Sequence, residues 1–352
     1  TAAFLLPVIH KLLTEDHEAH KINAMIIVPT RELAVQIAQT LEGVSYYTDI
    51  SFISVYGGTG GALFANEKKA LTSGVDIVIC TPGRMISHLN MGYVKLDSLR
   101  YLVLDEADRM LDMGFYEDII KIISFMPKQR QNLLFSATMP PAIRKLANTI
   151  LKDPAEINIA ISKPPEQIKQ EAFVVYESQK MPLVKYLLQQ SGYGSVLVFC
   201  SSKQSVKKLT EDLRRAKFSV DQIQSDLEQD KREQVLLNFK SRKLKILVAT
   251  DILSRGIDIE DIDLVINYDV PHDGEDYIHR IGRTARAATT GTACTLVSEK
   301  EQYKFHKIEK LLGHEVAKHP VPEQFGPGPA IEQPSASHPN KKRKFKGKKK
   351  KL

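Results

Sequence analysis

Tyr101 to Leu104 drive four apolar residues toward a core, and Asp105, Glu106 and Asp108 stand at the exit of the run LRYLVLDEADR (99–109). Far along the chain, HRIGRTAR (279–286) repeats Arg280, Arg283 and Arg286 at every third position, which on a helix would turn them largely one way. Acids and guanidiniums of this kind are what phosphoryl transfer uses: a carboxylate to hold a metal, an acid to orient water, and cations on the transferred group. Plainer explanations exist for each. Acids favour the first turn of a helix because of its dipole, and a row of arginines can be a solvated face. A four-letter acidic match decides nothing by itself.

Both clusters need a scaffold that ends strands at one place. The apolar runs AMIIVPT, ISFISVY, VDIVICT, YLVLDE and NLLFSAT, then SVLVFCS, KILVATD, DLVINYD and TACTLVS, alternate with helical patterns. They are continuous rather than alternating, so they predict parallel strands covered on both faces. The fold class expected is α/β, with two tandem domains at 1–160 and 169–316 joined by a linker at 161–168, where the pattern breaks at SKPPEQIKQ (162–170), and a disordered segment from 317 to 352. In parallel sheets ligands meet the carboxyl ends of strands. Those positions read PTRELA (29–34), YGGTGG (56–61), TPGR (81–84), DEAD (105–108), SAT (136–138), ATDILSRGID (249–258) and HRIGRTAR, an ordered set that chance does not supply.

The charge is distributed unevenly. Of a net +7, the last twelve residues, KKRKFKGKKKKL, hold nine Lys or Arg, and the remaining chain carries 40 basic against 42 acidic residues. Basicity therefore belongs to a tail that cannot bury apolar surface and should seek polyanions, although a nuclear-import signal has the same composition. The stretch PVPEQFGPGPAIEQPSASHPN (320–340) reads as a linker. Cys80, Cys200 and Cys294 are odd in number, distant and set in apolar runs, which argues against a disulfide framework and suits a reducing, cytoplasmic setting. No apolar run approaches the roughly 18 residues of a membrane span. The opening TAAFLLPVIHKLL reads as a buried helix.

Taken together, these motifs resemble the DEAD-box RNA helicases of superfamily 2 over residues 1 to about 315; SDLEQ (225–229), the Ala of GRTAR and the Lys-rich extension are most similar to the RhlE-like group. The resemblance implies two RecA-like domains that hydrolyse ATP between them, with Mg²⁺, and remodel short RNA duplexes and RNA–protein complexes without a sequence code. It assigns Asp105 to Mg²⁺, through water as that ion prefers, and Glu106 to the attacking water. Arg283 and Arg286 become the γ-phosphate fingers, a role worth roughly 10³ to 10⁵ in rate. Asp258 contacts the ribose. Asp108, Ser136, Thr138, His279 and Arg280 couple the domains. RNA would meet Thr30, Arg31, Gly57, Gly58, Thr81 and Arg84 on the first domain, where Thr30–Arg31 and Thr81 start helices whose free N–H groups face phosphate, and Gln229, Arg232, Thr250 and Asp251 on the second. Contacts to sugar and phosphate carry little sequence information, and the 2′-hydroxyl would separate RNA from DNA.

One expected piece is absent from the sequence. The phosphate-binding loop reads G-x-x-x-x-G-K-[ST], yet the only Gly-Lys pair is Gly347-Lys348 in the tail. By the resemblance, Thr1 matches the last residue of that loop, whose hydroxyl meets Mg²⁺. The expectation is a longer parent protein, with residues 1–352 alone hydrolysing ATP negligibly. Two other functions compete. A degenerate core could clamp RNA without catalysis, but DEAD, SAT and the finger arginines would then be idle; an upstream GxGKT would favour the enzyme. A DNA-directed relative is disfavoured by PTRELA, TPGR and HRIGRTAR together. Among misleading patterns, DHEAH (16–20) lacks the HExxH spacing of a metal site and reads as a solvated loop, and GGTGG lacks the third glycine of a dinucleotide loop. Met110, Met113, Leu111 and Phe115 read as core. Gln224, where many relatives have His, and Ala285, where Gly is commoner, are small departures.

Overall fold

A computed structural model describes residues 1–58, 61–158, 167–190, 192–224, 226–250, 262–284 and 291–331. Its first half contains β1 (Ala24–Ile27), β2 (Phe52–Val55), β3 (Ile77–Cys80), β4 (Tyr101–Leu104) and β5 (Gln131–Leu134). The helices there are α1 (Ala2–Thr14), α2 (Arg31–Ser45), α3 (Gly61–Ser73), α4 (Pro82–Asn90), α5 (Ala107–Asp112), α6 (Tyr116–Ser124) and α7 (Pro141–Ile150). The strands form one parallel sheet in the order β2-β3-β1-β4-β5.

Period-two geometry explains the continuous apolar strands, because successive side chains leave on opposite faces. Met25, Ile27, Val78, Cys80, Leu102 and Leu104 join Met85, Met110, Ile119 and Leu146 on one side. Ala24, Ile26, Ile77, Ile79, Tyr101 and Val103 meet Phe4, Leu5, Val8, Leu33 and Ile37 on the other. Helices cover both faces and leave the strand ends open, and in parallel sheets ligands meet the carboxyl ends. The opening segment is the buried helix expected, with Pro7 accommodated inside it.

The second half contains β6 (Ile168–Val175), β7 (Val196–Cys200), β8 (Val220–Ile223), β9 (Ile246–Thr250), β10 (Leu264–Asn267), β11 (Gly291–Ser298) and β12 (Ala317–His319). Helices α8 (Glu177–Gln190), α9 (Lys203–Arg215), α10 (Gln229–Lys240), α11 (Gly274–Ile281) and α12 (Gln302–Leu312) flank a parallel sheet ordered β12-β6-β11-β10-β7-β9-β8. No helix among the described residues is long and apolar enough to cross a membrane.

Several boundaries differ from the sequence reading. Strand β6 starts at Ile168, inside the expected linker, because Ile168 is buried and pairs with Gly291. Ordered structure also continues past 316: β12 adds to the edge of β6, and residues up to 331 strap the second domain. There the Gln179 amide donates toward the carbonyls of Phe325, Gly326 and Pro327, and Gln302 donates to Ala330 O. The Pro and Gly residues that suggested a free linker thus shape a strap held by side-chain donors. Met110 is core, but Met113 is 42% exposed because α5 stops at Asp112 and the chain turns outward.

Candidate nucleotide and nucleic-acid interface

Strand β4 delivers the acidic run to the rim, and the backbone there is unusual. Glu106 sits at φ 51°, ψ 50°, the left-handed region that costs a non-glycine residue about 1–2 kcal/mol. The twist turns the chain from strand into α5. Asp105 Oδ1 accepts the Glu106 N–H at 3.0 Å, and Arg109 Nη1 lies 3.6 Å from Glu106 Oε2. Burial pushes the Asp105 carboxyl up from its ordinary range; the Glu106 N–H pulls it back, and the Asp108 charge adds to the rise.

Asp108 is 5% exposed and ties the acidic run to the next strand end. Its Oδ2 accepts from Thr138 N at 3.2 Å and Thr138 Oγ1 at 3.1 Å, and its Oδ1 accepts from Arg109 N at 2.9 Å. Ser136 Oγ accepts the Asp108 N–H at 3.2 Å and donates to Thr138 O at 2.7 Å. The expected Asp108–Ser136–Thr138 association is thus a preformed knot within the first domain.

The positions expected to meet nucleic acid on the first domain follow the ends of β1, β2 and β3 at the same rim. Thr30 caps α2, its hydroxyl accepting from Leu33 N at 3.3 Å, and Thr81 is the N-cap of α4 ahead of Pro82. Gly58 has φ +84°, and a Cβ there would come within 3.7 Å of Arg31 Nη1, so a glycine brings the loop against the arginine. Gly57 precedes it with open space where a Cβ would lie. Arg31 stacks over the Tyr56 ring at 4.6 Å and Arg84 over the Phe64 ring at 4.5 Å.

The two domains meet at this rim through a reciprocal exchange. Arg31 Nη2 donates to Glu233 Oε1 at 2.7 Å, and Arg232 Nη2 lies 2.7 Å from Glu32 Oε1 at an angle outside hydrogen-bond geometry. Arg31 Nε and Nη1, Arg232 Nε and the Thr250 hydroxyl are buried with no hydrogen-bond partner among the described residues. Buried orphan donors are rare. Here they collect at a place where phosphate oxygens would satisfy them. Glu32, Glu233 and Arg109 escaped the sequence reading, although Glu32 within PTRELA and the three-residue step from Glu106 to Arg109 were legible signals.

The second domain corrects one expectation. Helix α11 ends at Ile281, with Gly282 N bonding back to Ile278 O at 2.8 Å, so Arg280 and Arg283 do not share a helical face. Arg280 is fully buried; its Nη1 donates to Asn267 Oδ1 at 3.1 Å and Asp269 O at 2.9 Å, and its guanidinium lies over Phe199. The resemblance casts it as a bridge to the first domain; the structure makes it an internal post of the second. His279 lies half-buried on α11 and Arg283 half-buried in the turn after it, while Gln229 is the first residue of α10. Gln224 is buried and its Oε1 accepts from Asp226 N, closing the turn before α10. Asp251, Asp258, Ala285 and Arg286 lie outside the described residues. The DHEAH segment is irregular, and His17 Nε2 stands 3.6 Å from Asp76 Oδ1.

Comparisons with known proteins agree with this geometry. Residues 1–146 match the DEAD/DEAH box helicase family and residues 179–288 the helicase conserved C-terminal domain. ATP-dependent RNA helicase CshA of Listeria monocytogenes is 40% identical over 311 residues, covering 88% of this chain and 59% of the relative. ATP-dependent RNA helicase DbpA of Bacillus subtilis is 38% identical over 325 residues, covering 92% of this chain and 67% of the relative. The chain spans about half to two thirds of the length of the curated relatives it matches. Dbp5 of S. cerevisiae, solved bound to RNA and ADP BeF3, superposes with a TM-score of 0.79 at 28% identity, covering 90% of this chain and 82% of that one. Both halves matched in chain order, with the DEAD knot and the arginine-lined rim where the two sheets end, mean that this chain belongs to the DEAD-box family of ATP-dependent RNA helicases.

Proposed function

We propose that the whole protein is an RNA-dependent ATPase that opens short RNA duplexes and loosens RNA–protein complexes, with ATP held between the two sheets' carboxyl edges. One observation carries the reading: the reciprocal Arg31–Glu233 and Glu32–Arg232 pairs join the two domains beside buried donors of Arg31, Arg232 and Thr250 that have no hydrogen-bond partner among the described residues. The superposition with a relative holding RNA and a nucleotide analogue over 90% of the chain supports the same placement.

Asp105 suits Mg²⁺. It is a hard oxygen donor whose charge burial disfavours, so a cation beside it offsets that cost. Thr1 would stand with it. Bound there, Mg²⁺ would neutralise phosphate charge. Glu106, held in its left-handed backbone and 3.6 Å from Arg109, would orient water as general base. Arg283, with Arg286, would stabilise charge on the transferred phosphoryl group, and Asp258 would hold the ribose. Asp108 relays the state of the nucleotide rim to Ser136 and Thr138, with His279 acting across from the second domain. Thr30, Arg31, Gly57, Gly58, Thr81 and Arg84, together with Gln229, Arg232, Thr250 and Asp251, would grip sugar and phosphate. The Lys-rich end adds non-specific attraction to RNA, and three buried free thiols suit a cytoplasmic protein.

The test is RNA-stimulated phosphate release by the whole protein. Glu106→Gln is expected to abolish release while RNA binding persists, and Arg31→Ala to weaken RNA binding. Full turnover in Glu106→Gln would refute the assignment.

A further inference from the structure

Glu67 lies on α3, which links the two segments proposed to face RNA and carries none of the residues assigned to RNA or nucleotide. It is 5% exposed and unusually busy for a buried acid. Its Oε2 accepts from Arg84 Nε at 2.7 Å and lies 2.9 Å from His88 Nε2, and its Oε1 accepts from Tyr56 N at 3.4 Å. Each donor comes from a different place: Tyr56 immediately precedes Gly57-Gly58, Arg84 closes TPGR, and His88 lies one turn further along α4. We infer that Glu67 is a positioning residue for RNA binding, a single carboxylate that sets the glycine loop and the TPGR arginine at a fixed spacing. The inference rests on the reading that these two segments contact RNA.

Polarity in the network is consistent throughout. A carboxylate can only accept, so His88 donates to it through Nε2, and its Nδ1 faces the Tyr93 hydroxyl. Phe64, one turn before Glu67 on the same helix, stacks on the His88 ring at 4.4 Å with the planes 12° apart, and Arg84 lies over Phe64. Thus α3 fixes Arg84 twice, by charge at Nε and by the π face. A lysine at 84 could not hold both contacts, since it lacks the planar, directional Nε–H.

A merely structural role would be met more cheaply. Burying a carboxylate, a guanidinium and an imidazole together carries a desolvation cost that an apolar trio of similar volume avoids. What the apolar version loses is the orientation of a cation at a phosphate site.

The experiment measures binding of fluorescein-labelled oligouridine to the protein by anisotropy across a salt series, for Arg84→Ala, Glu67→Gln and the double variant. Arg84→Ala is expected to weaken binding about tenfold and to lower the slope of log K against log salt by about 0.7, the loss of one phosphate contact on a single strand. Glu67→Gln is expected to reproduce both changes, and the double variant to be no worse than Arg84→Ala alone. Equal affinity and slope in Arg84→Ala would sink the RNA-face reading itself. A normal Arg84→Ala effect beside an unaffected or additive Glu67→Gln would overturn the positioning role alone. If Glu67→Gln does not fold, nitrogen-15 spectra of the unaltered protein decide: the Arg84 Nε–H should exchange slowly, and exchange as fast as a solvent-exposed arginine would overturn the inference.

Discussion

Asp108→Asn separates the charge of the DEAD knot from its shape. Asp108 Oδ2 accepts two bonds from Thr138, at 3.2 and 3.1 Å, while Oδ1 accepts one from Arg109 N at 2.9 Å. Asparagine keeps one oxygen and replaces the other with a donor. Whichever way the amide is turned, an N–H faces a backbone N–H, and at least one donor loses its partner. Hydrogen bonds to a charged group contribute about 1.5–3 kcal/mol each, and Thr138 is only half-buried, so water recovers part of the loss. The net cost should be about 2–3 kcal/mol. For a domain of this size that lowers Tm by about 5–10 °C. Thermal unfolding reads the global effect, and hydrogen exchange at the Thr138 amide reads the local one. Unchanged Thr138 protection with Tm within about 1 °C of the parent would refute the claim that Asp108 holds the 136–138 loop.

Other perturbations test other parts of the rim. Burial raises the Asp105 pKa, so the folded state binds its proton more tightly than the unfolded state, and stability from this group falls as pH rises through the folded pKa. Asp105→Asn should therefore stabilise the protein at neutral pH, with the gain vanishing below about pH 3.8, the ordinary carboxylate value; denaturant midpoints at both pH values check this. Exchanging the pair as Glu32→Arg with Arg232→Glu should restore the interdomain distance that either single reversal widens, with a coupling of about 1–2 kcal/mol by double-mutant cycle; fluorescence transfer between labelled domains measures it. Deleting 341–352 removes nine Lys or Arg and should weaken RNA binding and flatten its salt dependence; an identical salt slope would show that the tail takes no part.

The architecture was legible because parallel strands buried on two faces are written as unbroken apolar runs, and nine such runs became strands. Three strands were missed for physical reasons. The sequence VDQI of β8 buries only its ends, IKQEAFVV of β6 is polar over its first half, and AKH of β12 is a short edge strand defined by pairing with β6 rather than by its own side chains. The helix start at Thr30 was readable from capping chemistry; Thr81 also opens a helix, but its side chain makes no cap bond and Pro82 begins the first turn. The end of α11 was not, because the three-residue spacing of arginines outweighed Gly282, the signal that stops the helix before Arg283. Arg280 was misplaced for the same reason: spacing names a face, but only the fold shows that this face meets Asn267 and Phe199. Glu67 was invisible because a lone acid in a helix gives no hint that its partners lie 11 to 21 residues away.

Magnitudes at the interdomain contact also bear on how such a protein is controlled. The side chain of Glu233 is 56% exposed, so its pair with Arg31 is partly screened; Arg232 and Glu32 are more enclosed, at 15% and 13%, but poorly aligned. Two such pairs contribute about 0.5–2 kcal/mol in total. Carrying a two-state equilibrium from 1:99 to 99:1 takes about 5.5 kcal/mol. The pairs can therefore bias the domains toward meeting but cannot lock them together. On the proposed reading the missing energy comes from ligands that bridge the rims, RNA at the orphan nitrogens of Arg31 and Arg232 and nucleotide between Asp105 and Arg283. A weak protein–protein contact is then a requirement for switching, because a stronger one would hold the domains closed after phosphate had left.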